Sequence, residues 1–191
     1  MHSKSYRFLT PLIMVLTWAN MEAQTSHPVP RLVVNVTIDQ LRTDYMEAFS
    51  SLFGAGGFNK VMRDGRSYMD AAYPFSHIDR ASAVACIMTG TVPYDNGIVG
   101  EHWMDRKTLR PMYCVDDATC EGWLTSEKYS PVALNVSTVT DELKMATGGR
   151  ALVYSIAPDA DAAILAAGHA ADGAFWIDNA SGQWSSTSYY G

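Results

Sequence analysis

The side chains with the clearest chemical potential stand beside two predicted elements. Asp39 follows the apolar run at residues 32–38, and Ser82 lies in the first turn of a helix predicted to begin near Asp79. A carboxylate just beyond a buried strand can bind a metal ion, and a hydroxyl beside that metal can attack phosphorus. The structural alternatives are that Asp39 caps the following helix and that Ser82 is a small packing residue.

Other polar residues near these positions are weaker candidates. Ser76 could serve as a nucleophile and Asp79 could join a metal if the turn before the helix is rebuilt. His77, His102 and His169 are further candidates, but a ligand histidine needs partners that the sequence does not place. For His169 the structural alternative is that it ends a helix and bonds a loop carbonyl.

Alternating strands and helices are predicted to position these side chains. Strands are predicted at residues 32–38, 67–74 and 151–157, and a hairpin at residues 173–178 and 183–190, turning at "NASG". Helices are predicted at residues 42–52, 58–65, 79–88, 137–149 and 159–168. This alternation predicts an α/β fold with a mostly parallel sheet. Ligands of such sheets bind beyond the carboxyl ends of the strands, where Asp39 and the helix start near Asp79 are expected to lie.

Composition and charge narrow the class of protein. The chain has 191 residues, of which 48% are hydrophobic and 18% charged, so it can form a globular domain with a core. Its net charge of -6, with no run of Lys or Arg, argues against a nucleic-acid partner.

The first residues have the pattern of an export signal. Residues 1–23 carry basic residues, then an apolar run, then a small residue, which predicts a secretory signal peptide. Residues 24–30 are a lead segment, and residues 31–191 form the predicted domain. The apolar run is too short for a stable membrane anchor, so we expect a periplasmic or extracellular protein.

Three cysteines remain open to interpretation. Cys114 and Cys120 could close a small disulfide loop in an oxidising compartment, or could be free thiols. Cys86 lies in an apolar helical run and is expected to be a buried small hydrophobic residue.

Four stretches of the chain carry a family resemblance. "VVNVTIDQLRTDYM", "GGFNKVMRDG", "TGTVPYDNGIVGEHWMD" and "GHAADGAFWID" together resemble the alkaline phosphatase superfamily. The most similar branch is that of the secreted bacterial phosphatases related to type I phosphodiesterases and nucleotide pyrophosphatases. The resemblance implies a three-layer sandwich around a mostly parallel sheet, of which residues 31–191 would be a truncated N-terminal part.

The resemblance also implies a chemistry. Members hydrolyse phosphate monoesters, diesters or pyrophosphates of small molecules through a phosphorylated Thr or Ser, assisted by two zinc ions. Asp39 in "VTIDQLR" matches one zinc ligand. The remaining zinc ligands of the family would follow residue 191.

The phosphate-facing positions of the family are changed in this chain. Counting back from Gly90 by the family's spacing places the nucleophile position at Arg80, which cannot act as a nucleophile. Glu101 replaces a phosphate-contacting Asn, and Asp159 and Asp161 replace a Lys and an Arg. We therefore expect Arg80 and these three carboxylates to form an ion-pair network that fills the phosphate pocket.

Two functions are consistent with these residues. The first is an exported, metal-dependent phosphoester hydrolase, for which Ser82 is the candidate nucleophile. The second is a phosphatase-like protein that lacks this chemistry and acts as an inactive or binding module. A third hypothesis, that the chain is an N-terminal fragment, is compatible with either.

Overall fold

The computed structural model describes residues 31–191. The predicted signal peptide, residues 1–23, and the lead segment, residues 24–30, lie outside the described residues. The chain divides into two compact units, Met1–Asn35 and Val36–Gly191. Of the first unit only residues 31–35 are described, and they contain no helix or strand. The elements below all belong to the second unit.

Six α-helices occur in the described part of the second unit, together with the short 3₁₀ segments Ser50–Leu52 and Ser188–Tyr190. The helices are α1 (Thr43–Ala48), α2 (Gly57–Asp64), α3 (Arg80–Thr89), α4 (Pro93–Asn96), α5 (Val139–Ala146) and α6 (Ala160–Ala167). The five predicted helices are confirmed, and α4 is an additional single turn that begins at a proline. Among residues 31–191 there is no helix with the length and apolar character needed to cross a bilayer.

The strands form one hairpin and one mixed sheet. They are β1 (His102–Met104), β2 (Pro111–Tyr113), β3 (Gly122–Trp123), β4 (Tyr154–Ile156), β5 (Gly173–Ile177) and β6 (Trp184–Thr187). Strands β1 and β2 pair with each other, and the sheet has the order β3-β6-β5-β4. β4 runs parallel to β5, whereas β6 is antiparallel to β5 because the predicted "NASG" turn reverses the chain. The α/β class and the β5–β6 hairpin are therefore confirmed.

Two of the predicted strands are wrong in the described structure. Residues 32–38 and 67–74 belong to no strand, and the apolar residues of the first run are exposed, with Leu32 at 78%. A strand is stable only when a neighbour pairs with its backbone, and none of the described strands pairs with either run. The strand predicted at residues 151–157 forms over three residues as β4. It lies at the sheet edge with Tyr154 and Ile156 exposed, not buried as predicted.

The core lies where α3 and α6 pack together and α6 covers the sheet. Small side chains at Ala81, Ala85 and Ala163 are fully buried and allow the helices to approach closely. Ile164 and Trp176 are the large residues that fill the space beside them. This packing brings the first residues of α3 and α6 to the same region.

Local signals explain where the main helices begin and end. Asp79 caps α3 by accepting from the backbone N–H of Ser82, and the Ser82 hydroxyl accepts from the backbone N–H of Asp79 in return. Gly90 ends α3 in the left-handed conformation, with φ 68°. Thr138 and Asp141 form the equivalent box at the start of α5.

Gly168, which follows α6, gives a test of this packing. Its φ of 77° and ψ of -161° lie in a region that only glycine adopts without strain. An added Cβ would also collide with the Thr138 hydroxyl and the Asp141 carboxylate. We expect Gly168→Ala to lower the free energy of unfolding by about 3 kcal/mol or more, measured by urea denaturation.

Gly182→Ala is the matched control for Gly168→Ala. Gly182 also has positive φ, at 68°, but no atom would lie within 4 Å of its added Cβ. The expected loss is about 1 kcal/mol. Equal losses for the two variants would contradict the close approach of α6 to the start of α5.

Candidate functional site

Arg80, the first residue of α3, is surrounded by three carboxylates. Its Nε lies 3.1 and 3.0 Å from the two carboxylate oxygens of Asp161. Its Nη1 lies 3.1 Å from Oδ2 of Asp159, and its Nη2 lies 3.6 Å from Oε1 of Glu101. The ion-pair network expected from the sequence is therefore present, and these four residues are called the Arg80 cluster below.

The four members of the Arg80 cluster differ in burial. The Asp161 side chain is fully buried, whereas that of Arg80 is 25% exposed. Asp159 and Glu101 form the outer side of the cluster and are more than a third exposed. The backbone N–H of Asp161 also donates to the Tyr113 hydroxyl, at 3.3 Å. The inner pair, Arg80 and Asp161, is therefore the one that solvent screens least.

Arg80 occupies an electrostatically unfavourable position without its partners. A cation at the first residue of a helix faces the positive end of the helix dipole. Burial by itself would lower the pKa of the guanidinium, but the hydrogen bonds to Asp161 and the surrounding negative charges raise it above its ordinary value. The Arg80 side chain therefore stays protonated. The start of α3, where an anion would be favoured, holds a cation instead.

Asp79 connects the start of α3 to the segment before β1. Its Oδ1 accepts from the Ser82 backbone N–H at 2.9 Å, and its Oδ2 accepts from the Glu101 backbone N–H at 2.6 Å. Burial alone would raise the pKa of the Asp79 carboxyl, but these hydrogen bonds hold it below its ordinary value. Asp79 therefore fixes the backbone position of Glu101 relative to Arg80.

Ser82, the predicted nucleophile, lies in a capping position. It is fully buried, and its hydroxyl donates to the Asp79 carboxylate at 2.8 Å. A buried hydroxyl with this partner has no access to a substrate. A catalytic role for Ser82 therefore requires the turn before α3 to be rebuilt, and it remains a prediction. Ser76 is exposed and belongs to no helix or strand.

Asp39, the predicted metal ligand, is exposed in a turn. The next residue, Gln40, has a φ of 58°. Among residues 31–191 no group of three or more His, Cys, Asp or Glu side chains is arranged to hold a metal ion. The described residues therefore do not form a zinc site by themselves, and the structure does not join Asp39 to the Arg80 cluster.

The three candidate histidines have different surroundings. His77 and His102 are exposed, and the His102 ring lies against Tyr113 with centroids 4.8 Å apart. His169 follows α6 and contacts Oδ2 of Asp141 at 3.2 Å and the Leu134 carbonyl at 3.0 Å. The structural alternative predicted for His169 is confirmed.

All three cysteines are free thiols. Cys114 and Cys120 are buried, so the free-thiol alternative holds for this pair in the structure. Burial is the largest effect on the Cys114 thiol and raises its pKa. Cys86, predicted to be buried, is partly exposed on α3.

A cavity of about 250 Å³ opens beside the Arg80 cluster. Part of its wall consists of residues that sequence reasoning did not connect with the site, namely Tyr113, Glu127, Tyr129 and Trp176. Tyr113 and Tyr129 come from the loop-rich middle of the chain, where no periodicity marks a site. Trp176 lies in the predicted strand at residues 173–178, but the sequence pattern did not show that this strand meets a cavity.

Comparison with known proteins decides the family of the chain. Residues 33–190 match the family model described as type I phosphodiesterase / nucleotide pyrophosphatase. The chain belongs to this family. This type I phosphodiesterase family lies in the alkaline phosphatase superfamily, so the resemblance seen in the sequence is confirmed.

Individual relatives of this phosphodiesterase-family chain are alkaline phosphatases. It is 40% identical over 164 residues to alkaline phosphatase PhoV of Synechococcus elongatus, covering 84% of this chain and 30% of PhoV. It is 32% identical over 188 residues to alkaline phosphatase PafA of Elizabethkingia meningoseptica, covering 96% of this chain and 34% of PafA. The chain thus spans about a third of the length of these relatives.

The fold agrees with this family membership. The crystal structure of wild-type alkaline phosphatase PafA matches with a TM-score of 0.75 at 32% identity, over 85% of this chain and 32% of that one. The described residues therefore have the alkaline-phosphatase-like α/β fold of the N-terminal portion of such a protein.

Because the carboxylates of the Arg80 cluster differ in burial, we expect their removal to destabilise the fold by different amounts. Asp161→Asn removes the fully buried carboxylate and leaves Arg80 without its inner partner, so we expect a loss of about 3 kcal/mol in the free energy of unfolding. Asp159→Asn is the matched control, since its carboxylate is 37% exposed and should contribute less than about 1 kcal/mol. Urea denaturation of both variants measures the difference. If Asp159→Asn and Asp161→Asn lower the free energy of unfolding equally, burial does not determine how much each ion pair stabilises the fold.

The lowered pKa of Asp79 predicts an acid-dependent loss of stability. A carboxyl whose folded-state pKa lies below its unfolded value of 3.8 stabilises the fold above that unfolded value. The contribution is lost as the pH falls through the folded-state pKa. Asp79→Asn should therefore reduce the pH dependence of the unfolding free energy between roughly pH 5 and pH 2. Asp44→Asn, at an exposed site on α1, is the control, and identical pH profiles for wild type and Asp79→Asn would refute this assignment.

Proposed function

We propose that the protein is an exported, metal-dependent phosphoester hydrolase that acts on phosphate monoesters or on diesters and pyrophosphates of small molecules. The match to the type I phosphodiesterase family over residues 33–190 carries this proposal. The 40% identity to an alkaline phosphatase supports the monoester part of it. The chain covers only 30% of that relative, so the activity of the whole protein is inferred and not established by the match.

We infer that the metal is zinc and that Asp39 is one of its ligands. Two zinc ions are the cofactors implied by the sequence resemblance, and a carboxylate oxygen is a suitable zinc ligand. Asp39 is exposed in its turn and is therefore accessible to a metal. The order of basic residues, apolar run and small residue within residues 1–23 supports export to the periplasm or the extracellular space.

A second candidate function is favoured by the Arg80 cluster. Arg80 stands at the position expected for the nucleophile, and it is held by a buried carboxylate and two partly exposed ones. The Ser82 hydroxyl is buried and bonded to Asp79. This arrangement supports a phosphatase-like protein that binds a ligand without hydrolysing a phosphate ester.

Turnover by the zinc-loaded protein distinguishes the two functions. The protein expressed from its complete gene is incubated with aryl phosphate monoesters and diesters, alongside Asp39→Ala and the exposed-site control Asp64→Ala on α2. For a hydrolase we expect turnover that falls to the uncatalysed background in Asp39→Ala and is unchanged in Asp64→Ala. Bound zinc is measured in parallel, since loss of a ligand should lower the zinc content of Asp39→Ala.

The opposite result supports the second candidate. If wild type and Asp39→Ala both show only background turnover while the protein is folded, the hydrolase proposal fails for the tested esters. If turnover is present and Asp39→Ala retains it in full, the metal assignment fails.

A further inference from the structure

The turn that joins β1 to β2 concentrates basic side chains. Arg106, Lys107 and Arg110 stand close together in the sequence and are all exposed. None of the three forms an ion pair with any of the residues that the structure describes. The protein as a whole carries a net charge of -6, so this turn is a local exception to its acidic character.

Asp105 is the acidic residue of this turn, and the turn itself uses its carboxylate. Oδ1 accepts from the backbone N–H of Lys107 at 2.9 Å, and Oδ2 accepts from the Thr108 hydroxyl at 2.8 Å. These bonds hold the turn in one conformation. Three cations against one carboxylate leave the turn with net positive charge, which is available to an anionic partner.

Apolar side chains stand beside these cations. Leu109 is 74% exposed and Met104 is 56% exposed, and Pro111 at the start of β2 is exposed as well. Leu109 has a φ of 54°, a conformation that glycine or asparagine adopts more readily than leucine does. The turn geometry therefore does not account for a leucine at this position, and the side chain is displayed to solvent.

The carboxylates of the Arg80 cluster do not neutralise this turn. Glu101 directly precedes β1, and β1 and β2 pair only with each other among the described strands. Since a strand advances by about 3.3 Å per residue, the turn lies roughly 10 Å beyond Glu101. That distance is about one Debye length at physiological ionic strength, so the two charged regions act largely independently.

We propose that the β1–β2 turn docks on the surface of a membrane that contains anionic phospholipids. Arg106, Lys107 and Arg110 approach the headgroup phosphates, and Leu109 enters the boundary between the headgroups and the acyl chains. A bilayer presents both an anionic layer and an apolar interior, whereas a soluble polyanion presents only charge. The contact is peripheral and requires no turnover, so it does not rest on the proposed hydrolase function.

Vesicle binding tests this proposal. The protein expressed from its complete gene is incubated with vesicles of phosphatidylcholine alone, or of phosphatidylcholine and phosphatidylglycerol in equal parts, and the bound fraction is measured by flotation. We expect at least about tenfold tighter binding to the anionic vesicles, weakened by added salt. Equal binding to the two kinds of vesicle, or binding to heparin without binding to anionic vesicles, would overturn the proposal.

A triple variant tests whether the turn carries the charge requirement. Each Lys or Arg near an anionic membrane contributes roughly fivefold to the affinity. Replacing Arg106, Lys107 and Arg110 together by Gln should therefore weaken binding to the anionic vesicles at least about tenfold. These side chains are exposed and unpaired with other described residues, so we expect an unchanged free energy of unfolding.

The matched control makes the same change of net charge elsewhere. Lys60 and Arg63 on α2 and Arg66 just beyond it are also exposed, and Gln at all three should leave vesicle binding close to that of wild type. Both triple variants have the same leader, so a difference between them reports the site of contact. An equal loss in the two variants, or a loss only in the α2 variant, would refute docking through the β1–β2 turn.

Leu109→Asn tests the apolar part of the contact. Asparagine tolerates the positive φ of this position, so the turn should persist and the free energy of unfolding should not fall. Loss of the apolar side chain should weaken binding to the anionic vesicles about fivefold, with the same dependence on salt. Wild-type affinity in Leu109→Asn would show that Leu109 does not enter the membrane and would overturn that part of the proposal.

Discussion

The pairing of Arg80 with the buried Asp161 is the constraint on which the rest of the site depends. Each residue lies at the start of a core helix, Arg80 at the first position of α3 and Asp161 in the first turn of α6. A buried carboxylate without a counter-charge would destabilise the fold by several kcal/mol. A cation at the start of α3 is unfavourable unless carboxylates surround it. The two helix starts must therefore meet, and the small residues of the α3–α6 contact allow them to do so.

This pairing determines the conformation of the neighbouring carboxylates. Asp159 occupies the N-cap position of α6, where an Asp side chain normally accepts from the first turn, yet it makes no cap hydrogen bond. Its carboxylate instead lies 3.1 Å from Nη1 of Arg80. Asp79 has the complementary role, because its carboxylate both caps α3 and holds the backbone of Glu101. The residues that cap or could cap these helices thus also determine where the charges of the site lie.

Local signals in the sequence predicted the helices well, because capping residues and glycine stops act within one or two turns. Such local signals are the capping boxes at Asp79 and Thr138, the stop at Gly90 and the β5–β6 turn. The strands predicted at residues 32–38 and 67–74 did not form, and composition alone does not determine whether a segment pairs as a strand. A continuous apolar run shows that a segment can be buried, and pairing decides whether it becomes a strand.

In the candidate site, too, some features could be predicted from the sequence and others depend on the tertiary fold. Family spacing identified Arg80 and its three acidic partners, and their proximity follows from charge complementarity. The aromatic wall of the cavity was not predictable, because Tyr113, Tyr129 and Trp176 are brought together only by the tertiary fold.

The charges of Arg80 and Asp161 are mutually dependent. Replacing Arg80 by a hydroxyl residue alone would leave Asp161 buried without a counter-charge. Replacing Asp161 by a basic residue alone would place two cations at adjoining helix starts. A change at either position is therefore tolerated only with a compensating change at the other. The sign of charge around the cavity is thus a property of the whole cluster.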